Sequence, residues 1–85
     1  MDPLLAELQA LVVRSLRLHR DPASLDPDAS LFGGALGLDS VDAVQVLVSV
    51  ERHFELPISD ADLARHRLDT LRSIARLLTE KGIRR

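Results

Sequence analysis

Near the start of the chain, Leu4, Leu5, Leu8, Leu11, Val12 and Leu16 recur at three- and four-residue spacing. At about 100 degrees per residue that spacing lays one apolar stripe along a helix. Asp2 can cap this helix, and Pro3 suits the first helical position, where its missing N–H has no intrahelical partner to lose. The pattern fades near Leu18 and His19, ahead of Pro22. From about Arg20 to Leu38 the chain carries Pro22, Pro27, Gly33, Gly34 and Gly37 with Asp21, Asp26, Asp28 and Ser30, a composition of turns. Leu25, Leu31, Phe32, Leu36 and Leu38 interrupt the polar residues and should tie this segment onto a core, which predicts an ordered loop. Loops of this length inside compact domains are commonly functional.

A second helix is predicted from Asp39, a good N-cap, to His53 or Phe54, since Pro57 forbids continuation. Ser59 with Asp62 three residues later has the spacing of a capping pair for a short helix to about Arg65. Thr70 opens the last helix, whose stripe is Leu71, Ile74, Leu77 and Leu78, with Gly82 placed as a C-terminal cap. Strand-like alternation and internal repeats are both missing. The expected architecture is all-α: a small four-helix bundle of three longer helices and one short one, with a long ordered loop between the first and second. Residues 1–85 are expected to form a single domain, since cores usually divide only beyond roughly 250 residues.

Composition narrows the function. With 46% hydrophobic and 28% charged residues the chain has enough apolar surface to fold. Phe32 and Phe54 are the only aromatics, too few for a base-stacking platform, and the net charge of −2 lacks the basic run that phosphate backbones demand. Nucleic acid is not an expected partner. The absence of Cys removes disulfides, cysteine zinc sites and a cysteine nucleophile. No signal-type segment opens the sequence, and no apolar run approaches the roughly 18 residues a membrane span needs. A cytoplasmic protein is the expectation. Asp26 with Asp28 and Asp60 with Asp62 have the alternate spacing that begins a calcium loop, but neither pair is followed by the required Gly and Glu, so turns and caps are expected instead. His19, His53 and His66 lack the i, i+4 spacing of a helical metal site.

On a helical wheel the second helix has three sectors. Ala43, Val46, Leu47, Val50 and Phe54 form the core face, whereas Val41, Val44 and Val48 share another sector with Ser40 and Glu51. Asp42, Gln45, Ser49, Arg52 and His53 fill the rest. A surface helix in a monomeric bundle needs one apolar stripe only. The second stripe either completes a core reached from two sides or forms a docking surface beside Ser40. Ser40 itself follows a glycine-rich loop in the first turn, between Asp39 and Asp42, where capping chemistry is the plain reading and an exposed, backbone-defined hydroxyl the functional one. As a nucleophile Ser40 would need a base within about 3 Å. His53 lies roughly 20 Å further along the same helix, so a hydrolase triad is not expected.

From Gly37 to Leu78 the sequence GLDSVDAVQVLVSVERHFELPISDADLARHRLDTLRSIARLL resembles the central and C-terminal part of an acyl carrier protein, and the first helix and long loop match that family's layout. The most specific element is the run Gly37, Leu38, Asp39, Ser40, Val41, Asp42, similar to the family's G-x-D-S-L signature. The resemblance implies that Ser40 accepts 4′-phosphopantetheine from coenzyme A and that acyl groups ride as thioesters on its thiol, with Asp39 and Val41 flanking the attachment point. It also implies a partner-binding face of Asp39, Val41, Asp42, Gln45, Val48, Glu51 and Arg52, whose acids would meet basic patches on partner enzymes. Without the resemblance, Asp39 is an N-cap, Asp42 a helix-dipole partner and Glu51 a solvated charge. Complementary charge would chiefly speed encounter and fix orientation.

Two features depart from the family pattern. Val41 replaces the usual Leu, and Gln45, Arg52 and His53 stand where carriers of primary metabolism often have acids. That composition points to a specialised pathway, such as a polyketide or modified-lipid system, over generic fatty acid biosynthesis. The implied protein is not an enzyme. Its implied partners are a phosphopantetheinyl transferase, an acyl-loading ligase or transferase, a ketosynthase and other pathway enzymes, with the carrier itself a monomer. Two alternatives stand beside this reading: a peptidyl or aryl carrier of a peptide-synthetase-like pathway, and an unmodified helical adaptor that binds a partner helix through its valines.

Overall fold

The computed structural model describes residues 2–31, 39–65 and 68–83, together with their side chains except those of residue 40 and residues 63–65. Among the described residues four α-helices appear in this order: α1 (Pro3–Ser15), α2 (Ser40–Phe54), α3 (Asp60–Arg65) and α4 (Leu71–Glu80), with one 3-10 turn at Pro22–Ser24. No strand occurs among the described residues. The protein is thus an all-α bundle of three longer helices and one short one. Phe32, Leu36, Leu38 and the three glycines of the loop lie outside the described residues, as does His66.

The predicted core stripes of α1, α2 and α4 point inward. Leu4, Leu5, Leu8, Leu11 and Val12 of α1 meet Val46, Val50 and Phe54 of α2 and Leu71, Ile74, Ala75 and Leu78 of α4 in one core. Burying a side chain of this size contributes about 1.5–3 kcal/mol relative to leaving it in water. The 3-10 turn and both longer partners pack against α1, which makes α1 the central element of the bundle.

Local chemistry sets the helix ends. Asp2 accepts the Leu4 N–H at 2.9 Å ahead of Pro3. Ser59 and Asp62 cap α3 reciprocally, and Thr70 and Ser73 do the same for α4. Gly82, at φ 98°, closes α4 in the left-handed conformation that glycine adopts freely. The first helix ends differently from expectation. It stops at Ser15, three residues before Leu18, because Arg17 turns left-handed at φ 53° and the Leu18 N–H reaches back to the Val13 carbonyl at 2.9 Å. A left-handed residue other than glycine costs on the order of 1 kcal/mol. Burial of Leu25 and Leu31 just beyond accompanies that reversal.

Four contacts hold the described part of the long loop. Gln9, buried on α1, donates from Nε2 to the Leu25 carbonyl at 2.7 Å. The Leu31 N–H donates to the Asp69 carbonyl at 2.7 Å, and the Arg72 N–H to that of Pro27 at 3.0 Å. Asp28 closes the set by pairing with the Arg72 guanidinium, which holds its carboxyl below the ordinary carboxylate range. At the other end of the bundle, Lys81 contacts Asp62 at 2.9 Å; with the Ser59 hydrogen bonds this lowers the Asp62 carboxyl to about 2. Asp28 and Asp62 are therefore turn, cap and ion-pair residues. Among the described residues no three metal-ligating side chains come together, and no helix is long and apolar enough to cross a membrane.

Candidate functional site

The start of α2 is held by a reciprocal cap. Asp39 sits in extended backbone and accepts the Asp42 N–H at 3.0 Å, while the Asp42 carboxylate accepts the Asp39 N–H at 3.1 Å. Two of the otherwise unpaired donors near a helix start are satisfied this way, so the first turn is fixed before any tertiary contact is counted. Position 40 is the first residue inside that turn. Both acids spend an oxygen on the cap and still carry their charge on the surface, Asp39 exposed and Asp42 half-buried.

The two apolar stripes of α2 separate clearly. Val46 and Val50 are almost fully buried, and Phe54 lies under the same core. Val41, Val44 and Val48 remain 72%, 60% and 38% exposed. With Gln45, Ser49 and Arg52 these valines line an open groove along the outer face of the helix. Val44 therefore does not complete the core, and the stripe beside position 40 lies at the surface.

The polar positions of the same helix divide in a way that the wheel does not show. Gln45 donates from Nε2 to the Ser15 carbonyl at 2.7 Å, joining α2 to the end of α1. Glu51 is half-buried rather than solvated: its Oε2 accepts the Ile58 N–H at 2.9 Å and anchors the segment after Pro57. His53 places Nε2 2.6 Å from Glu7 Oε2 on α1. Arg52 is exposed on the groove and has no hydrogen bond or ion pair among the described residues. Beyond these, α2 ends at Glu55, left-handed at φ 52°, whose N–H and that of Leu56 both bond to the Glu51 carbonyl.

Glu7 and Gln9 carry no role in the sequence reading, yet they join α2 and the loop to α1. A signal for Gln9 exists in its place on the apolar stripe, four residues after Leu5 and three before Val12. Glu7 has no comparable signal, since its partner is 46 residues away. With His53 turned toward Glu7 at the far end of α2, it offers position 40 no base. The described residues place position 40 in a capped first turn at one end of the valine groove.

Comparison with known proteins assigns this arrangement to a class. The family described as phosphopantetheine attachment site matches residues 6–78, from within α1 to within α4. An acyl carrier protein of Bdellovibrio bacteriovorus is 37% identical over 66 residues, covering 78% of this chain and 81% of that protein. One from onion yellows phytoplasma is 39% identical over 57 residues, covering 67% and 71%. A putative mitochondrial acyl carrier protein of Schizosaccharomyces pombe is 43% identical over 51 residues, which is 60% of this chain but 45% of that longer protein. The chain belongs to the acyl carrier protein family. It is a carrier protein rather than an enzyme, and its cofactor is covalently attached 4′-phosphopantetheine.

Proposed function

We propose that Ser40 carries the phosphopantetheine arm and that residues 1–85 act as one carrier unit, holding acyl or polyketide intermediates as thioesters on the arm's thiol and passing them between enzymes. The observation that carries this reading is the reciprocal Asp39–Asp42 cap, which fixes position 40 as the first helical residue of α2. Residues on either side, Asp39 and Val41, are exposed. The arm would add its phosphodiester in the first turn, where the helix dipole favours negative charge and the two acids oppose it. A sequence without cysteine then gains its reactive thiol from the cofactor alone.

The mixed charge of α2 supports a specialised pathway over generic fatty acid synthesis, operating in the cytoplasm with a dedicated transferase, a loading enzyme and a condensing enzyme as partners. Val41, Val48 and the acids Asp39 and Asp42 form the surface these enzymes would read. The test is the intact mass of the protein before and after incubation with coenzyme A, magnesium and a broad-specificity phosphopantetheinyl transferase. The native chain should gain one phosphopantetheine and Ser40→Ala none. An equal gain in the variant would place the arm elsewhere, and no gain in a folded, previously unmodified native chain would remove the attachment reading.

A further inference from the structure

Two side chains of α2 reach across to α1 at different heights of the helix. Gln45 donates to the Ser15 carbonyl at 2.7 Å, and His53 places Nε2 2.6 Å from Glu7 Oε2. At about 1.5 Å rise per residue the two ties stand about 12 Å apart along α2, with buried Val46 and Val50 between them. The tie nearer position 40 joins an amide to a carbonyl and has no charge to gain or lose. The tie at the far end differs. With a proton on the ring it is an ion pair, and without one it is a hydrogen bond from neutral imidazole, roughly half as strong. The two side chains are 31% and 27% exposed, so the ring exchanges protons with water while packing holds it to Glu7.

Glu7 is the group that sets the strength of this contact. The other neighbour of the imidazole is the Phe54 ring, met edge-on at a centroid distance of 4.8 Å. Asp2 and Arg14, the remaining charged residues of α1, do not bond to it. On α2, Glu51 is turned to the Ile58 N–H, and Arg52 and exposed Glu55 flank the ring with opposite charges without pairing with it. We propose that His53 and Glu7 form a pH-sensitive latch between α2 and α1. When protonated, the latch draws the C-terminal end of α2 onto α1. As the pH rises through the ordinary imidazole range, near about 6.5, the latch weakens and the seam loosens from that end, while Gln45 keeps the end that carries position 40 in place. The Asp28–Arg72 and Asp62–Lys81 pairs stay ionised across this window, with Asp62 at about 2, and exposed His19 makes no hydrogen bond or ion pair among the described residues. The latch works through the fold alone and does not depend on which residue bears the arm.

The test is amide hydrogen exchange of the full chain, read by NMR in steps from about pH 5 to about pH 8 and corrected for the intrinsic pH dependence of exchange. The native protein is compared with His53→Gln, Glu7→Gln and Gln45→Ala. In the native chain the protection of residues 50–54 should fall by about twofold to fivefold across that range, the scale of a partly exposed ion pair, and that of residues 43–46 should hold. His53→Gln and Glu7→Gln should each abolish the fall. Gln45→Ala should lower the protection of residues 43–46 equally at every pH and leave the fall at residues 50–54 in place. Constant protection of residues 50–54 in the native chain, or an undiminished fall in both His53→Gln and Glu7→Gln, would overturn the latch. A fall shared equally by residues 43–46 would overturn its one-sided action, and with it the proposal.

Discussion

Helices α4 and α2 each carry a full apolar stripe, but only α2 carries more than the fold consumes. In α4 the residues Leu71, Ile74, Leu77 and Leu78 are essentially inaccessible, and the opposite face is polar. In α2 an equally buried row of Val46, Val50 and Phe54 coexists with three valines left in water. Valine is also a poor choice for an exposed helical position, since its branched side chain loses rotamer freedom there. Exposed valines on α2 therefore serve neither burial nor helix formation. The difference separates residues that make the fold from residues that the fold displays.

Substitutions on the two helices should break along that line. Leu78→Ala in α4 removes a fully buried side chain and should cost about 2–5 kcal/mol, read as a lower denaturant midpoint with an unchanged slope. If Leu78→Ala proved no more harmful than a surface change, the contrast between the helices would be lost. Asp39→Ala should cost about 1 kcal/mol through loss of the cap on α2. Because it also frees the first turn, Asp39→Ala should slow phosphopantetheine transfer, whereas Thr70→Ala, which uncaps α4, should lose similar stability with transfer unaffected.

Val44→Ala is the sharper probe and the smaller effect. Alanine's higher helix propensity should leave stability unchanged or raise it by about 0.5 kcal/mol, while loading by partner enzymes falls. A variant that is more stable and less active would show directly that the valine is held for recognition. A clear loss of stability would show that Val44 contributes to the core after all.

The last expectation appears only in acid. Asp62 titrates near 2 in the folded protein against an ordinary 3.8, because Lys81 and Ser59 favour its ionised form. Between those values the unfolded chain binds the extra proton, so the contribution is present above about 3.8 and is lost as the pH falls toward about 2. Lys81→Met should flatten the fall in stability across that window, measured by urea unfolding at stepped pH. Asp28, lowered by Arg72, adds a fall of the same sign at the opposite end of the bundle.

Much of this architecture was legible before any coordinates. The caps Asp2, Asp39, Ser59 and Thr70, the stop before Pro57 and the Gly82 terminus are local chemistry, and each lies where the spacing of residues placed it. The core stripes were legible for the same reason, since helical period alone decides which side chains share a face. Arg17 and Glu55 were not. Their left-handed backbones terminate α1 and α2 without the glycine that would signal such a turn, so α1 ends earlier than its apolar pattern suggests.

Sequence alone determined four helices, their order, one serine at the head of α2 and a surplus row of valines beside it, because propensity, capping and periodicity act over a few residues. Only the tertiary structure decided which polar side chains remain available. Gln45 and His53 share a sector of the helical wheel with Arg52, and Glu51 reads there as a solvated charge, yet all three are committed, to Ser15, Glu7 and Ile58 respectively. Two of those partners lie 30 and 46 residues away. Contacts at that separation exist only once α1 packs against α2, and that packing leaves Arg52 exposed, with no hydrogen bond or ion pair among the described residues.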